Sequence, residues 1–174
     1  SFENGHTLAY VSPRKLGGIK IADDIQSFLQ EHNIGEDALN MEWEQFRDVM
    51  QHKRGGTKSA LMDQKTIAGI GNIYADEILY QEKLHPKTKV HSLLSKSIES
   101  LYKTIRKILQ TAIRYHADAE KFPEGFFIPH RKEGAACPRC STAIKKTTVN
   151  GRSSYYCPKC QKGNQRWETT RDVP

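Results

Sequence analysis

Four cysteines, Cys137, Cys140, Cys157 and Cys160, form two Cys-x-x-Cys pairs separated by sixteen residues. A tight turn carrying two thiolates supplies half of a tetrahedral shell. Two such turns close the shell with sulfur alone, the ligand set of one structural Zn2+ with no open position for chemistry. The residues between the pairs suit a zinc ribbon: Ala143 to Val149 and Arg152 to Tyr156 read as short strands. Asn150-Gly151 between them is the pair that a two-residue type I′ hairpin turn demands. Arg152 therefore starts the return strand at the hairpin tip, a long cation on a rigid scaffold.

The second chemical candidate is the run Ile67-Ala68-Gly69-Ile70-Gly71-Asn72-Ile73-Tyr74-Ala75-Asp76-Glu77. Glycines just before a helix let a backbone come close to a bulky anion, and the free N–H groups of the first turn favour negative charge. The Asn72 amide can cap that helix and donate to a phosphate oxygen. By itself the pattern also fits an ordinary tight turn. Charge adds a direction. The net charge is +7, and from residue 131 onward ten Lys or Arg face three Asp or Glu, while residues 1–130 carry seventeen of each sign. The whole excess lies on the ribbon and its tail, the electrostatic footprint of a polyanion binder; a solubilising basic tail is the blander reading.

Around these residues the sequence predicts a mainly α chain with small β elements. At 19.8 kDa it has room for a helical domain plus a module too small to make its own core without a metal. No apolar stretch approaches membrane-spanning length, and cysteines committed to zinc spacing point to a reducing, intracellular compartment. Leu8 to Val11 and Ile19 to Ala22 read as two strands flanking a basic loop, a pair too small to stand without a larger sheet. Asp23 or Asp24 can cap a helix bearing Ile25, Phe28 and Leu29, and Asn40 another bearing Trp43, Phe46 and Val49. Thr57 can cap a short helix ending near Gly69. A further helix runs from Gly71-Asn72 to about Leu84, before His85-Pro86. A long one spans Ser95 to His116, with Ile98, Leu101, Ile105, Ile108 and Ala112 three and four apart.

Two of these features together carry a resemblance. The stretch from Leu61-Met62-Asp63-Gln64 through Gly69-Ile70-Gly71-Asn72-Ile73-Tyr74-Ala75-Asp76-Glu77 to His85-Pro86 resembles the helix-two-turns-helix of formamidopyrimidine-DNA glycosylases and their endonuclease VIII relatives. Cys137-Pro138-Arg139-Cys140, Asn150-Gly151-Arg152 and Tyr156-Cys157-Pro158-Lys159-Cys160-Gln161 are similar to that family's C-terminal zinc finger. Ser12-Pro13-Arg14-Lys15-Leu16-Gly17 is a fainter match to an upstream Asp-Pro-Arg-Arg-Phe-Gly loop. The organisation implied is a two-strand remnant of an N-terminal β-sandwich at 1–22, the helical DNA-binding domain at 23–128, the finger at 129–162 and a tail at 163–174.

The resemblance implies base-excision repair: bending duplex DNA that contains a damaged base or abasic site, everting the nucleotide, cleaving its glycosidic bond and then the backbone. Carried over, Lys58, Gly69, Gly71, Asn72 and Arg152 would bind phosphates, and Arg14, Lys15 and Leu16 would fill the gap in the base stack. Lys15 and Leu16 stand where the family has Arg and Phe, which weakens base reading and stacking. The family's nucleophile, the amine of an N-terminal proline followed by glutamate, has no counterpart in the 174 residues, and Ser1-Phe2 is a poor substitute. The chain thus reads as the DNA-gripping part of such an enzyme, inactive alone, with unpaired strands inviting self-association and with nucleoid association if bacterial. Only twenty residues separate His116 from Cys137, so the loop that caps the lesion is expected to be short. The alternatives are an RNA- or ribosome-associated zinc ribbon and a purely structural interaction domain.

Overall fold

The computed structural model describes residues 2–13 and 18–162, so Arg14, Lys15, Leu16 and the tail from 163 lie outside the described residues. The chain divides into two compact units, 1–33 and 34–174.

The first unit contains one helix, α1 (Ile25–Glu31). Of the two candidate caps it uses Asp24, whose carboxylate accepts the Ser27 N–H at 2.7 Å; that bond holds its pKa below the usual carboxylate value. Leu8 to Val11 and Ile19 to Ala22, expected as strands, form none, and Leu8, Val11, Ile19 and Ile21 stay exposed. Strands are stabilised by ladder bonds and cross-strand side-chain contacts, and these two segments do not pair with each other. No residue of α1 is buried.

The second unit is built on α2 (Trp43–His52), α3 (Thr57–Leu61), α4 (Asn72–Gln81) and α5 (Ser95–Arg114). Helix α5 carries the predicted stripe: Ile98, Leu101, Ile105, Ile108 and Ala112 are buried, and with Phe46, Met50, Leu61, Ile67, Ile78 and Leu79 they make the main core. Three boundaries depart from the sequence reading. Helix α2 is capped by Glu42 in a reciprocal box with Gln45, not by Asn40. Asp37 is the reason: its carboxylate takes the Leu39 N–H and its carbonyl takes those of Asn40 and Met41, so residues 37–41 are consumed in a turn. Helix α3 is capped by Gly56, because the Thr57 hydroxyl donates to the Thr88 carbonyl instead. That helix stops at Leu61, where the Asp63 carbonyl gathers the Thr66 and Ile67 N–H groups into a turn well before Gly69.

Short strands β1 (Glu36–Asp37) and β2 (Ile67–Ala68) pair in parallel, Glu36 opposite Ile67. Gly35 makes that approach feasible, since a Cβ there would sit 2.5 Å from the Thr66 carbonyl carbon. Gly69 then takes φ +90°, a left-handed conformation that turns the chain toward α4. Helix α4 is buried from Ala75 to Tyr80 on every face, which makes it the spine of this unit. In the ribbon, β3 (Lys145–Val149) and β4 (Arg152–Tyr156) run antiparallel with Val149 opposite Arg152. Asn150 and Gly151 both have positive φ, the type I′ turn the sequence predicts.

Candidate nucleic-acid interface and metal centre

The four Sγ atoms lie within 4.8 Å of one another. Individual separations are 3.3 Å for Cys140–Cys160, 3.5 Å for Cys140–Cys157 and 3.9 Å for Cys137–Cys160. Tetrahedral Zn–S bonds of about 2.3 Å place sulfurs about 3.8 Å apart, so the geometry fits one Zn2+ and leaves no ligand over. Each Cys pair sits on a turn folded by its own backbone: Ser141 N–H donates to the Cys137 carbonyl and Gln161 N–H to that of Cys157. Burial pushes the Cys157 and Cys160 thiols up, whereas a hydrogen bond with the Thr142 hydroxyl holds Cys140 down to about 6. A divalent cation reverses the first effect, binding the thiolates and expelling their protons.

Helix α4 carries the ribbon at both ends. Near its C-terminal end the Tyr80 ring stacks on Phe127 at 4.7 Å, its hydroxyl meets Cys137 Sγ at 3.3 Å, and the Arg139 guanidinium lies over the ring at 4.4 Å. Burial and the Cys137 contact raise the Tyr80 pKa, so the phenol stays protonated and can donate to sulfur. Gln161 fixes the second Cys turn, accepting from Cys157 N–H and donating to the Leu84 carbonyl, each at 2.8 Å. Glu77 is buried and accepts from the Phe127 and Ile128 N–H groups at 2.8 Å, which ties α4 to the segment leading into the ribbon; desolvation raises its pKa.

At the N-terminal end of α4 the expected phosphate residues come together. Asn72 is the first helical residue; Gly71 is the cap, and the Asn72 side chain makes no capping bond, contrary to the sequence expectation. Its amide instead bridges outward. Oδ1 accepts from Lys58 Nζ at 2.7 Å and Nδ2 donates to the Ser153 carbonyl at 3.1 Å, which fixes the amide's orientation and leaves one N–H to point elsewhere. Arg152, next to Ser153, is exposed, and its guanidinium has no hydrogen-bond or ion-pair partner among the described residues. Beside Arg152 a groove of about 440 Å³ separates the hairpin tip from the segment that carries Lys53, Gly55, Ser59 and Asp63, and Asn150 lines it with Arg152. A Cβ at Gly71 would meet no atom within 4 Å, so the space before the helix terminus is open.

Lys58 has a different position from the one expected. Its side chain is 0% exposed, with Nζ 2.7 Å from Asp76 Oδ1 as well as from Asn72, so a direct phosphate contact is unavailable to it in this arrangement. Burial lowers its pKa while Asp76 opposes that shift. Asp76, also 0% exposed, receives Arg131 Nε at 2.8 Å, the Ser154 hydroxyl at 2.7 Å and the Tyr155 N–H at 3.1 Å. Sequence reasoning missed Asp76, Glu77, Arg131 and Ser154. The available signal was two consecutive carboxylates inside an otherwise apolar helix, which cannot be buried without partners.

This combination of helix-turn architecture and four-cysteine ribbon defines a class, and comparison gives it a family. The model of the formamidopyrimidine-DNA glycosylase H2TH domain matches residues 34–123, and that of the zinc finger found in FPG and IleRS matches 134–163. The chain belongs to the formamidopyrimidine-DNA glycosylase family. It is 33% identical to the formamidopyrimidine-DNA glycosylase of Protochlamydia amoebophila over 93% of this chain and 64% of that protein. It is 38% identical to that of Carboxydothermus hydrogenoformans over 80% of this chain and 59% of the relative. The chain thus spans about three-fifths of their length. Among solved structures it resembles the Lactococcus lactis Fpg in complex with abasic-site DNA, with a TM-score of 0.69 and 30% identity over 79% of this chain and 55% of that one. A complex of MutM with DNA containing carbocyclic 8-oxo-G gives a TM-score of 0.68 at 30% identity. The four cysteines are this family's zinc site. No helix among the described residues is long and apolar enough to cross a membrane.

Proposed function

We propose that this chain is the DNA-binding part of a base-excision repair glycosylase and AP lyase, gripping the phosphates around an everted damaged or abasic nucleotide. The observation that carries this reading is the 3.1 Å bond from Asn72 to the Ser153 carbonyl. It holds the amide at the start of α4 against the residue next to Arg152, so an anion donor and an exposed cation lie close together. Gly71 leaves the approach to the helix terminus open, whereas at Gly69 the N–H donates to Gln64 Oε1 at 3.1 Å and the Asp37 carboxylate lies close by, so Gly69 serves the turn and not a direct phosphate contact. Arg14, Lys15 and Leu16 are the proposed wedge and reader of the partner base. The exposed apolar residues of the first unit are proposed to drive self-association at high concentration, and a nucleoid location follows from the substrate.

The test is fluorescence anisotropy with a duplex containing an abasic-site analogue, an undamaged duplex and a single-stranded RNA of equal length. The abasic duplex is expected to bind tightest, with Asn72→Ala and Arg152→Ala each weakening it about tenfold, the worth of one phosphate hydrogen bond. A preference for RNA that survives both changes would reject the reading.

A further inference from the structure

Lys58, Asn72, Asp76, Arg131 and the Ser153 carbonyl form a closed polar ring. Lys58 bridges Asp76 to Asn72, Arg131 bridges Asp76 to Ser153 at 3.4 Å, and Asn72 closes the circuit on the same carbonyl. Two cations and one carboxylate are buried or nearly so, the Arg131 side chain being 15% exposed. Arg131 also lies over the Tyr155 ring at 4.7 Å. Of the five groups Asp76 alone touches helix α3 through Lys58, the segment before the ribbon through Arg131, and strand β4 through Ser154 and Tyr155.

We propose that Asp76 is a positioning residue for phosphate binding: from inside α4 it locks the hairpin against the helical body, so that Asn72 and Arg152 address the same strand of nucleic acid. This rests on the phosphate-clamp reading above. Its physical content is that a carboxylate with four donors drawn from three elements keeps all of them only when those elements are docked in one register. Without the negative charge, Lys58 and Arg131 become unpaired neighbouring cations, and each relaxes by moving apart, carrying Asn72 one way and Ser153 with Arg152 the other.

Simple electrostatics predicts the opposite result for Asp76→Asn. The change raises the net charge from +7 to +8, which by itself strengthens binding to a polyanion. The positioning role predicts weaker binding. The experiment measures affinity of the zinc-loaded chain for the abasic-analogue duplex against salt concentration, for wild type, Asp76→Asn, the pair Asn72→Ala with Arg152→Ala, and the triple variant. Asp76→Asn is expected to lose about tenfold or more in affinity and to lower the salt slope by about 0.9, one phosphate contact, with zinc content and far-UV spectrum unchanged. In the triple variant it is expected to cost nothing further, the non-additivity of a residue that acts through the other two.

Binding by Asp76→Asn as tight as wild type or tighter, or a loss that adds in full to the pair's loss, would overturn the proposal. If the Asn72 and Arg152 changes themselves have no effect, it is the clamp that fails. Should Asn at position 76 release zinc or helix, Lys58→Met gives a second reading, because it frees Asn72 while Asp76 keeps Arg131. It is then expected to weaken binding like Asn72→Ala with an unchanged slope; a slope lower by about 0.9 would make Lys58 a direct phosphate ligand and contradict the ring's role.

Discussion

At the scale of single residues, the buried carboxylates of α4 set apart two kinds of work. Asp76 meets two cations, whereas Glu77 meets only neutral donors: two backbone N–H groups and the Gln81 amide at 2.7 Å. Burial raises the Glu77 pKa, so the sign of its pH effect is set. The folded state favours the protonated form; its contribution is fully favourable below the ordinary glutamate pKa, declines as pH climbs toward the raised folded value, and is constant above it. Glu77→Gln removes that decline. It also sets one amide donor against another at Gln81, at a cost of about 1–2 kcal/mol. Denaturant unfolding between pH 5 and 8 is expected to show a flatter pH profile for Glu77→Gln, its deficit relative to wild type largest at the acid end. Parallel profiles would mean that Glu77 is not desolvated as described.

Among the elements, the apolar periodicity of α5, the I′ hairpin and the four-cysteine set were legible from sequence, because each depends on spacing alone. The caps of α2 and α3 were not. Asn40 and Thr57 are good caps in isolation, but Asp37 and the Thr88 carbonyl, distant or differently engaged, take the relevant groups first. The strands expected at residues 8–11 and 19–22 failed for a related reason, since apolar alternation identifies a strand only where a partner edge exists. Two expectations follow for the elements. Leu101, fully buried in the main core, should cost about 2–5 kcal/mol on change to Ala in thermal or denaturant unfolding. Chelating the zinc should melt the β3–β4 hairpin, whose small core includes Cys137 and Cys157, while the main core, which contains no cysteine, keeps α2, α4 and α5 helical. Amide NMR spectra with and without chelator check this; loss of helix signals together with those of the ribbon would show one cooperative unit instead.

On the scale of the whole molecule, two bodies differ in how much they bury. The core begins at Ala38, and residues 1–33 contribute no buried side chain among those described, so their backbone amides are expected to exchange with solvent far faster than those of α4 and α5. Hydrogen exchange with slow amides in residues 18–33 would contradict this. In the second body, charge and architecture converge. The excess of cations from residue 131 onward lies on a ribbon that α4 holds through a salt-bridged ring at one end and an aromatic–thiol contact at the other. Composition revealed the excess, and motif spacing located Asn72 and Arg152. The ring that joins them was hidden, because it links residues 58, 72, 76, 131 and 153 through contacts that no local pattern encodes.

The central proposal is that the neutral amide at the start of α4 and the guanidinium at the hairpin tip grip DNA phosphates together, and the slope of log Kd against log salt separates their contributions. Arg152→Ala should weaken duplex binding and lower the slope by about 0.9, because one fewer counterion is released. Asn72→Ala should weaken binding to a similar extent with the slope unchanged, since an uncharged donor releases none. Equal slopes for wild type and Arg152→Ala, or unaltered affinity for both variants, would contradict the account.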